Sequence, residues 1–338
     1  MSVAGLGGVG RATAKLLLER RERYRAVYGA DVRLVAVCGS RAGLRDPRGL
    51  EADRFDALED GLTGPDFIVA SGTDIVIEAG PTDIRTGGPG LAYLTAALAE
   101  GRDVIAISKG ALVHSGGHLR DLAAHSGALL KISGAASAAL PTIDLVAHSL
   151  LGCTVLKVEG ILNATTNFLL DAMTQRGLDF AEALSEAQDK GFAEADPRND
   201  TQGWDTAAKL LILANFGLGL DLSLEDVAIR GIDGVTRADL ANWKRNGVAP
   251  RLVGSLVREG NAMRAEVGIR TYRANDPFAL VSGKNKAIRI ISDAMGETLA
   301  IGAGTEPLAT AAAALKDFEH ILIARAGGRT AWTMESIR

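Results

Sequence analysis

The densest concentration of chemistry-bearing side chains is the segment GFAEADPRNDTQGWDTAAKLLILAN, residues 191–215. It carries Glu194, Asp196, Asp200 and Asp205, with Lys209 four residues beyond Asp205. A helix opening near Gly203 puts Asp205 and Lys209 on one face, where an i,i+4 pair fixes the lysine and keeps it charged. The loop 193–201 then projects further carboxylates into the same cleft. Carboxylates suit an ammonium group, and a positioned lysine suits proton transfer to or from a hydroxyl that becomes a carbonyl. On pattern alone, the more ordinary source is an exposed salt bridge preceded by a turn at Asp196-Pro197, since such pairs are common on helices.

Near the start of the chain, Gly5, Gly7 and Gly10 form G-x-G-x-x-G between a short strand (Ser2 to Ala4) and a helical stretch from Arg11. Gly5 permits the tight turn, Gly7 lets a pyrophosphate approach the backbone, and Gly10 lets the helix pack on the strand. The helix N-terminus, around Gly8 and Val9, offers unpaired N–H groups to phosphates. A purely structural turn is the alternative, but a strand before, a helix after and parallel strands following favour a dinucleotide. The second strand ends in Cys38, Gly39, Ser40 and Arg41, with no carboxylate for a ribose 2′-OH. Arg41, with Ser40 as a second donor, suits a 2′-phosphate, so NADP is expected and NAD is the alternative. A solvated loop arginine is the plainer reading of Arg41.

A second lysine, Lys109, follows Ser108 at the carboxyl end of the apolar run from Asp103. Ligands of open α/β sheets bind at such ends, where Lys109 would orient a carbonyl substrate or relay a proton. Taken alone, a surface lysine capping a strand is the better account. Pro81 and Thr82, in the GPTD segment that ends the preceding strand, are placed on the nicotinamide side.

These residues need a scaffold. VRLVAVCGS from Val32, DIVIEAG from Asp74 and DVIAISKG from Asp103 read as buried parallel strands, with a helix from Leu91 to Glu100 between the last two. ALLKIS from Ala128 adds one more. Strands alternating with helices imply a Rossmann-type, doubly wound parallel sheet, an α/β fold. Residues 40–65 read as a long loop near the cofactor. The pattern changes around SGAASAALPT, which breaks at Pro141. After it come a strand at VLKVEGILN, long helical patterns over 166–190 and 203–217, then strands at GNAMRAEVGIR, NKAIRIISDAM and TLAIGAG. A helix from Thr310 to Asp317 and a short C-terminal strand end the chain. The expected organisation is a dinucleotide domain, 1–135, completed by 305–338, and an α+β substrate and dimerisation domain, 136–304.

The 338 residues are enough for about two domains. A hydrophobic content of 47% and a charged content of 23% are those of a globular chain. A net charge of −4 gives no basic excess for nucleic acid or an anionic membrane, so neither is an expected partner. Cys38 and Cys153 lack metal or redox spacing and read as buried thiols of a reducing compartment. No signal-peptide pattern opens the chain. The longest apolar stretch, Leu210 to Leu220, is shorter than the roughly 20 residues of a membrane span. A cytoplasmic protein is expected. His114 and His118 stand four apart without a third ligand and read as solvated helix residues, so no metal is expected.

GILNATTNFLL followed by AEADPRNDTQGWDTAAK resembles the signature of the homoserine dehydrogenase family. The likeness extends to the G-x-G-x-x-G start, PTDIRTG at Pro81, SKGAL at Ser108 and the GAG…TA region that includes Gly302. The resemblance implies interconversion of L-homoserine and L-aspartate 4-semialdehyde, on the route to threonine and methionine. It makes Lys209 the acid/base or proton-relay residue and Lys109 the second catalytic lysine. Glu194, Asp200 and Asp205 would bind the substrate or orient the lysines, with Asn163 and Thr165 shaping its side of the site. Ser108, Lys109 and Gly302 join the cofactor residues, and a homodimer through the second domain is implied. The chain departs from the signature at Ser108, Ala164 and Lys286. It departs most clearly at Ser133, where the family's cation-binding glutamate is missing. These departures leave open an oxidoreductase for another small hydroxy acid or amino alcohol. A nucleotide-binding regulator without turnover is the reading from another class. The length leaves no room for a regulatory or kinase domain, so threonine feedback through such a module is not expected.

Overall fold

The computed structural model describes residues 1–302, 304 and 307–326. The expected C-terminal strand lies outside the described residues. The chain divides into two compact units, one of Met1–Ala139 with the C-terminal helix, the other of Leu140–Gly304.

The first unit is built on seven strands: β1 (Ser2–Ala4), β2 (Ala36–Cys38), β3 (Ala42–Arg45), β4 (Glu59–Asp60), β5 (Ile75–Glu78), β6 (Asp103–Ala106) and β7 (Leu130–Lys131). They lie in the order β4-β3-β2-β1-β5-β6-β7. The five strands from β2 to β7 are parallel, whereas β3 and β4 are antiparallel additions at the edge. The order of connection reverses between β1 and β5, the switch point beside which ligands of such sheets bind.

Each interior strand is apolar because both of its faces are covered. Ile75 and Ile77 join Leu17, Leu315 and Phe318 in one core cluster. Alternation sends Val76 and Glu78 to the opposite face, where they are equally buried. Tyr24 meets Phe318 edge-to-face at 4.9 Å. The first helix is Gly8–Glu19, and a second, Arg21–Tyr28, follows it directly. The span 40–65 is structured rather than an open loop: it holds β3, a 3-10 turn (Ala52–Asp56) and β4, and a helix begins at Pro65. The strand expected from Val32 is regular only at Ala36–Cys38. Before that, Val35 donates singly to Met1 O and accepts from Asp46, short of a ladder. The C-terminal helix runs Leu308–Arg325, well past Asp317.

The second unit has a six-stranded sheet of β8 (Val155–Ile161), β9 (Val227–Ile229), β10 (Val248–Glu259), β11 (Ala262–Arg273), β12 (Lys286–Ser292) and β13 (Gly296–Gly302). The order is β13-β12-β8-β10-β11-β9, antiparallel except for the β11–β9 pair. The long helical pattern over 166–190 is two helices, Ala164–Arg176 and Phe180–Asp189. Gly177 in the left-handed region ends the first, and an Asp179–Glu182 capping box starts the second. No helix among the described residues is long and apolar enough to cross a membrane.

Candidate active site

In the second unit the site is organised around one asparagine. Asn163 is the N-cap of the Ala164–Arg176 helix, and its Oδ1 accepts from Thr166 N at 2.9 Å. Its Nδ2 donates to Asp200 Oδ1 at 2.7 Å and to Asp205 Oδ2 at 2.8 Å. The side-chain amide is therefore committed to holding two carboxylates and a helix end. Asp200 comes from the short helix Arg198–Thr201, and Asp205 from the first turn of Trp204–Ile212. Gly203, at φ +90°, makes the turn between these helices; its missing Cβ would meet Ile229 and Val267 at 3.2 Å.

Asp205 and Lys209 share a helix face, and Lys209 Nζ donates to Asp205 Oδ2 at 2.6 Å and to Leu162 O at 2.9 Å. Both are largely buried, at 8% and 12% side-chain exposure, so this is no solvated surface pair. Burial and then the charge of Asp205 push the Asp200 carboxyl above the ordinary carboxylate range. Thr165 Oγ1 donates to Phe192 O at 2.9 Å and so ties down the segment leading to Glu194. Phe192 is packed edge-to-face on Phe168 at 4.9 Å, with Lys284 Nζ 4.0 Å from its ring centroid. The Glu194 side chain is exposed, and Asp196 pairs outward with Arg198 at 2.5 Å. Gly302 ends β13, opposite Lys286 of β12.

In the first unit the glycine turn has the division of labour its spacing implies. Gly5 has φ +100°, and a Cβ there would lie 2.4 Å from Ala79 C. A Cβ on Gly10 would lie 1.7 Å from Gly5 O, whereas Gly7 and Gly8 face open space. Gly7 caps the twelve-residue helix Gly8–Glu19, and Val9 lies in its first turn, so the helix N-terminus is open to an anion. The residues fit a dinucleotide pyrophosphate. Ser40 and Arg41 are exposed on the tight β2–β3 turn, closed by Gly39 N to Ala42 O at 2.8 Å.

At the carboxyl ends of β5 and β6, the segments Gly80–Asp83 and Ser108–Gly110 lie against one another. Lys109 N donates to Thr82 Oγ1 at 3.3 Å, and a Cβ on Gly110 would lie 2.5 Å from Asp83 O. Pro81 is exposed beside them. Lys109 is the N-cap of the helix Gly110–Ser126. Ser108 is buried, and its hydroxyl donates to Glu78 Oε2 at 2.7 Å. Sequence reasoning passed over Glu78; the available signal was a carboxylate ending an otherwise apolar buried strand. Ser133, where the resemblance leads one to expect glutamate, donates from its N at 2.7 Å and its Oγ at 2.6 Å to buried Asp317.

Two family models match: homoserine dehydrogenase over residues 141–318, and homoserine dehydrogenase, NAD binding domain, over residues 5–132. The chain belongs to the homoserine dehydrogenase family. It is 32% identical to an NAD(+)-dependent homoserine dehydrogenase of Pseudomonas canavaninivorans, with 95% of each chain covered. It is 29% identical to a homoserine dehydrogenase of Methanocaldococcus jannaschii, over 94% of this chain and 97% of that one. The crystal structure of a homoserine dehydrogenase from Thiobacillus denitrificans matches with a TM-score of 0.84 at 28% identity, over 98% of this chain and 75% of that one. These homoserine dehydrogenases are oxidoreductases acting on a CH–OH group, and the NAD binding domain assigns a nicotinamide dinucleotide to the half that opens with Gly5.

Proposed function

We propose that this chain is an NAD(P)-dependent homoserine dehydrogenase that interconverts L-homoserine and L-aspartate 4-semialdehyde and prefers NADP. The observation that carries the reading is the largely buried Lys209, held by Asp205 and Leu162 O beside the Asn163-bridged carboxylates. Gly7, Gly8 and the N-terminus of the Gly8–Glu19 helix would hold a nicotinamide dinucleotide, which would supply or accept the hydride. Lys209 takes or returns the proton of the substrate hydroxyl, and Lys109 is the second reacting lysine. Asp200, Asp205 and Glu194 hold the substrate ammonium or orient the lysines, with Asn163 and Thr165 fixing their positions.

The NADP preference rests on Ser40 and Arg41 and on the absence of a carboxylate between Cys38 and Arg41. The Pseudomonas relative is named for NAD(+), which favours NAD as the second reading. The departures at Ser133, Ala164 and Lys286 favour testing other small hydroxy acids and amino alcohols alongside homoserine. A cytoplasmic homodimer assembled through the second domain completes the proposal. The test is oxidation of NADPH, and separately of NADH, with aspartate 4-semialdehyde, alongside light scattering for the dimer. Turnover with neither dinucleotide overturns the reading.

A further inference from the structure

Glu78 is the last residue of β5 and is fully buried. Its Oε1 accepts from Gly80 N at 2.7 Å and its Oε2 from Ser108 Oγ at 2.7 Å. No ion pair to it is found among the described residues. A buried carboxyl without a cation is costly unless its oxygens are hydrogen-bonded, and an apolar side chain of similar size would fill the space at lower cost. The surroundings are shaped for this group. A Cβ on Gly80 would lie 2.8 Å from Glu78 Oε1. One on Gly90, in the Gly88–Ala99 helix, would lie 3.0 Å from both Glu78 Oε1 and Ser108 Oγ.

What the carboxyl joins is informative. Gly80 begins the segment that leads to Thr82, and Ser108 precedes Lys109. Thr82 Oγ1 in turn accepts from Lys109 N, so the backbone of Ser108–Lys109 is held on both sides. We propose that Glu78 is a positioning residue for hydride transfer: its buried carboxyl locks the Gly80–Thr82 segment to Ser108–Lys109 and so presents Lys109 in a single orientation. The proposal rests on the reading of Lys109 as a reacting residue at the nicotinamide end of the sheet. Burial, which also pushes this carboxyl above the ordinary range, is partly offset by the bonds from Ser108 and Gly80. The glycine turn touches this lock at Gly5, which packs on Ala79 and Gly80, whereas a Cβ on Gly7 or Gly8 would meet nothing within 4 Å, so the larger effect is expected on chemical rate and the smaller on dinucleotide affinity.

The test uses the full chain with Glu78→Gln and Ser108→Ala. Glutamine retains an acceptor for Gly80 N and turns its amide toward Ser108, which preserves packing and loosens the lock. The readouts are the dinucleotide dissociation constant, kcat, thermal stability and the kinetic isotope effect with substrate deuterated at the transferred position. For Glu78→Gln, kcat is expected to fall about tenfold or more, as small misplacements of reacting groups do. The isotope effect should rise as the chemical step becomes limiting, while dinucleotide affinity stays within about threefold. Ser108→Ala should move kcat and the isotope effect in the same direction by less, and it decides the matter if Glu78→Gln does not fold. Folded variants with wild-type kcat overturn the proposal, as does a loss of rate that tracks stability with an unmoved isotope effect. A wild-type chain that neither binds nor turns over a dinucleotide overturns the functional reading itself, and this proposal with it.

Discussion

Asn163 Nδ2 and Lys209 Nζ converge on the same oxygen of Asp205, at 2.8 Å and 2.6 Å. The asparagine fixes the carboxylate, the carboxylate fixes the lysine, and the asparagine also starts a helix. Asn163→Ala removes both functions. It should cost about 1 kcal/mol of stability through the lost cap. It should also lower kcat, because Asp200 and Asp205 lose the donor between them. Asn163→Ser keeps a capping oxygen, so melting temperature should recover while kcat does not. Thermal melts and steady-state kinetics on both variants check this.

Lys209→Ala should reduce kcat by about 10²–10⁴, the usual worth of a positioned acid or base. Asp205→Ala should approach the same loss, since it releases the lysine and leaves Asn163 half-bonded. Equal losses in the two singles and in the double variant would identify one working unit. Additive losses would assign the residues independent roles.

Asp200 gives a pH test. Burial and Asp205 raise its folded value above the ordinary 3.8, so the folded chain holds this proton more tightly than the unfolded chain. Its stabilising contribution is complete below that ordinary value and is lost as pH rises through the folded value. Asp200→Asn carries no charge at any pH. Relative to wild type it should melt at the same or a higher temperature at pH 8, with the advantage shrinking toward pH 4, while activity falls at both. Melting curves across this range decide the point, and a variant less stable only at high pH contradicts it.

The glycine turn separates packing from binding. Gly10→Ala puts a Cβ 1.7 Å from Gly5 O and should cost about 1–3 kcal/mol or more through overpacking. Gly7→Ala meets nothing within 4 Å, and Gly7 has φ −75°, open to any residue. It should fold normally and lose dinucleotide affinity. Calorimetric melts and dinucleotide titrations of the two variants should therefore show opposite patterns.

Arg41→Ala tests the cofactor preference. Loss of a charge-assisted contact to a 2′-phosphate should lower kcat/KM for NADP by about 10- to 100-fold. The value for NAD should stay nearly constant. Parallel kinetics with the two dinucleotides measure the ratio, and equal changes in both would remove Arg41 from cofactor choice.

Local spacing was the legible part of this chain. The register of Asp205 and Lys209 follows from 3.6 residues per turn, and the glycine roles follow from a strand–turn–helix context. What escaped was set by distant partners. Glu78 is defined by Ser108, and the Asn163 bridge by residues 37 and 42 positions away. The long β10 strand was passed over: Val248–Glu259 is buried over most of its length, so little alternation marks it. The split at Gly177 was hidden because the helices on both sides carry apolar residues at helical spacing.

The β2–β3–β4 extension that presents Ser40 and Arg41 also has a colloidal consequence. A parallel sheet ending at β2 would expose a row of unpaired amides and carbonyls, a template for strands of other molecules. Here the sheet instead ends on a two-residue strand, Glu59–Asp60, exposed and acidic, which repels such additions. Exchanging the whole hairpin to redirect cofactor choice would strip that guard and invite aggregation. Point changes at Ser40 and Arg41 leave it in place.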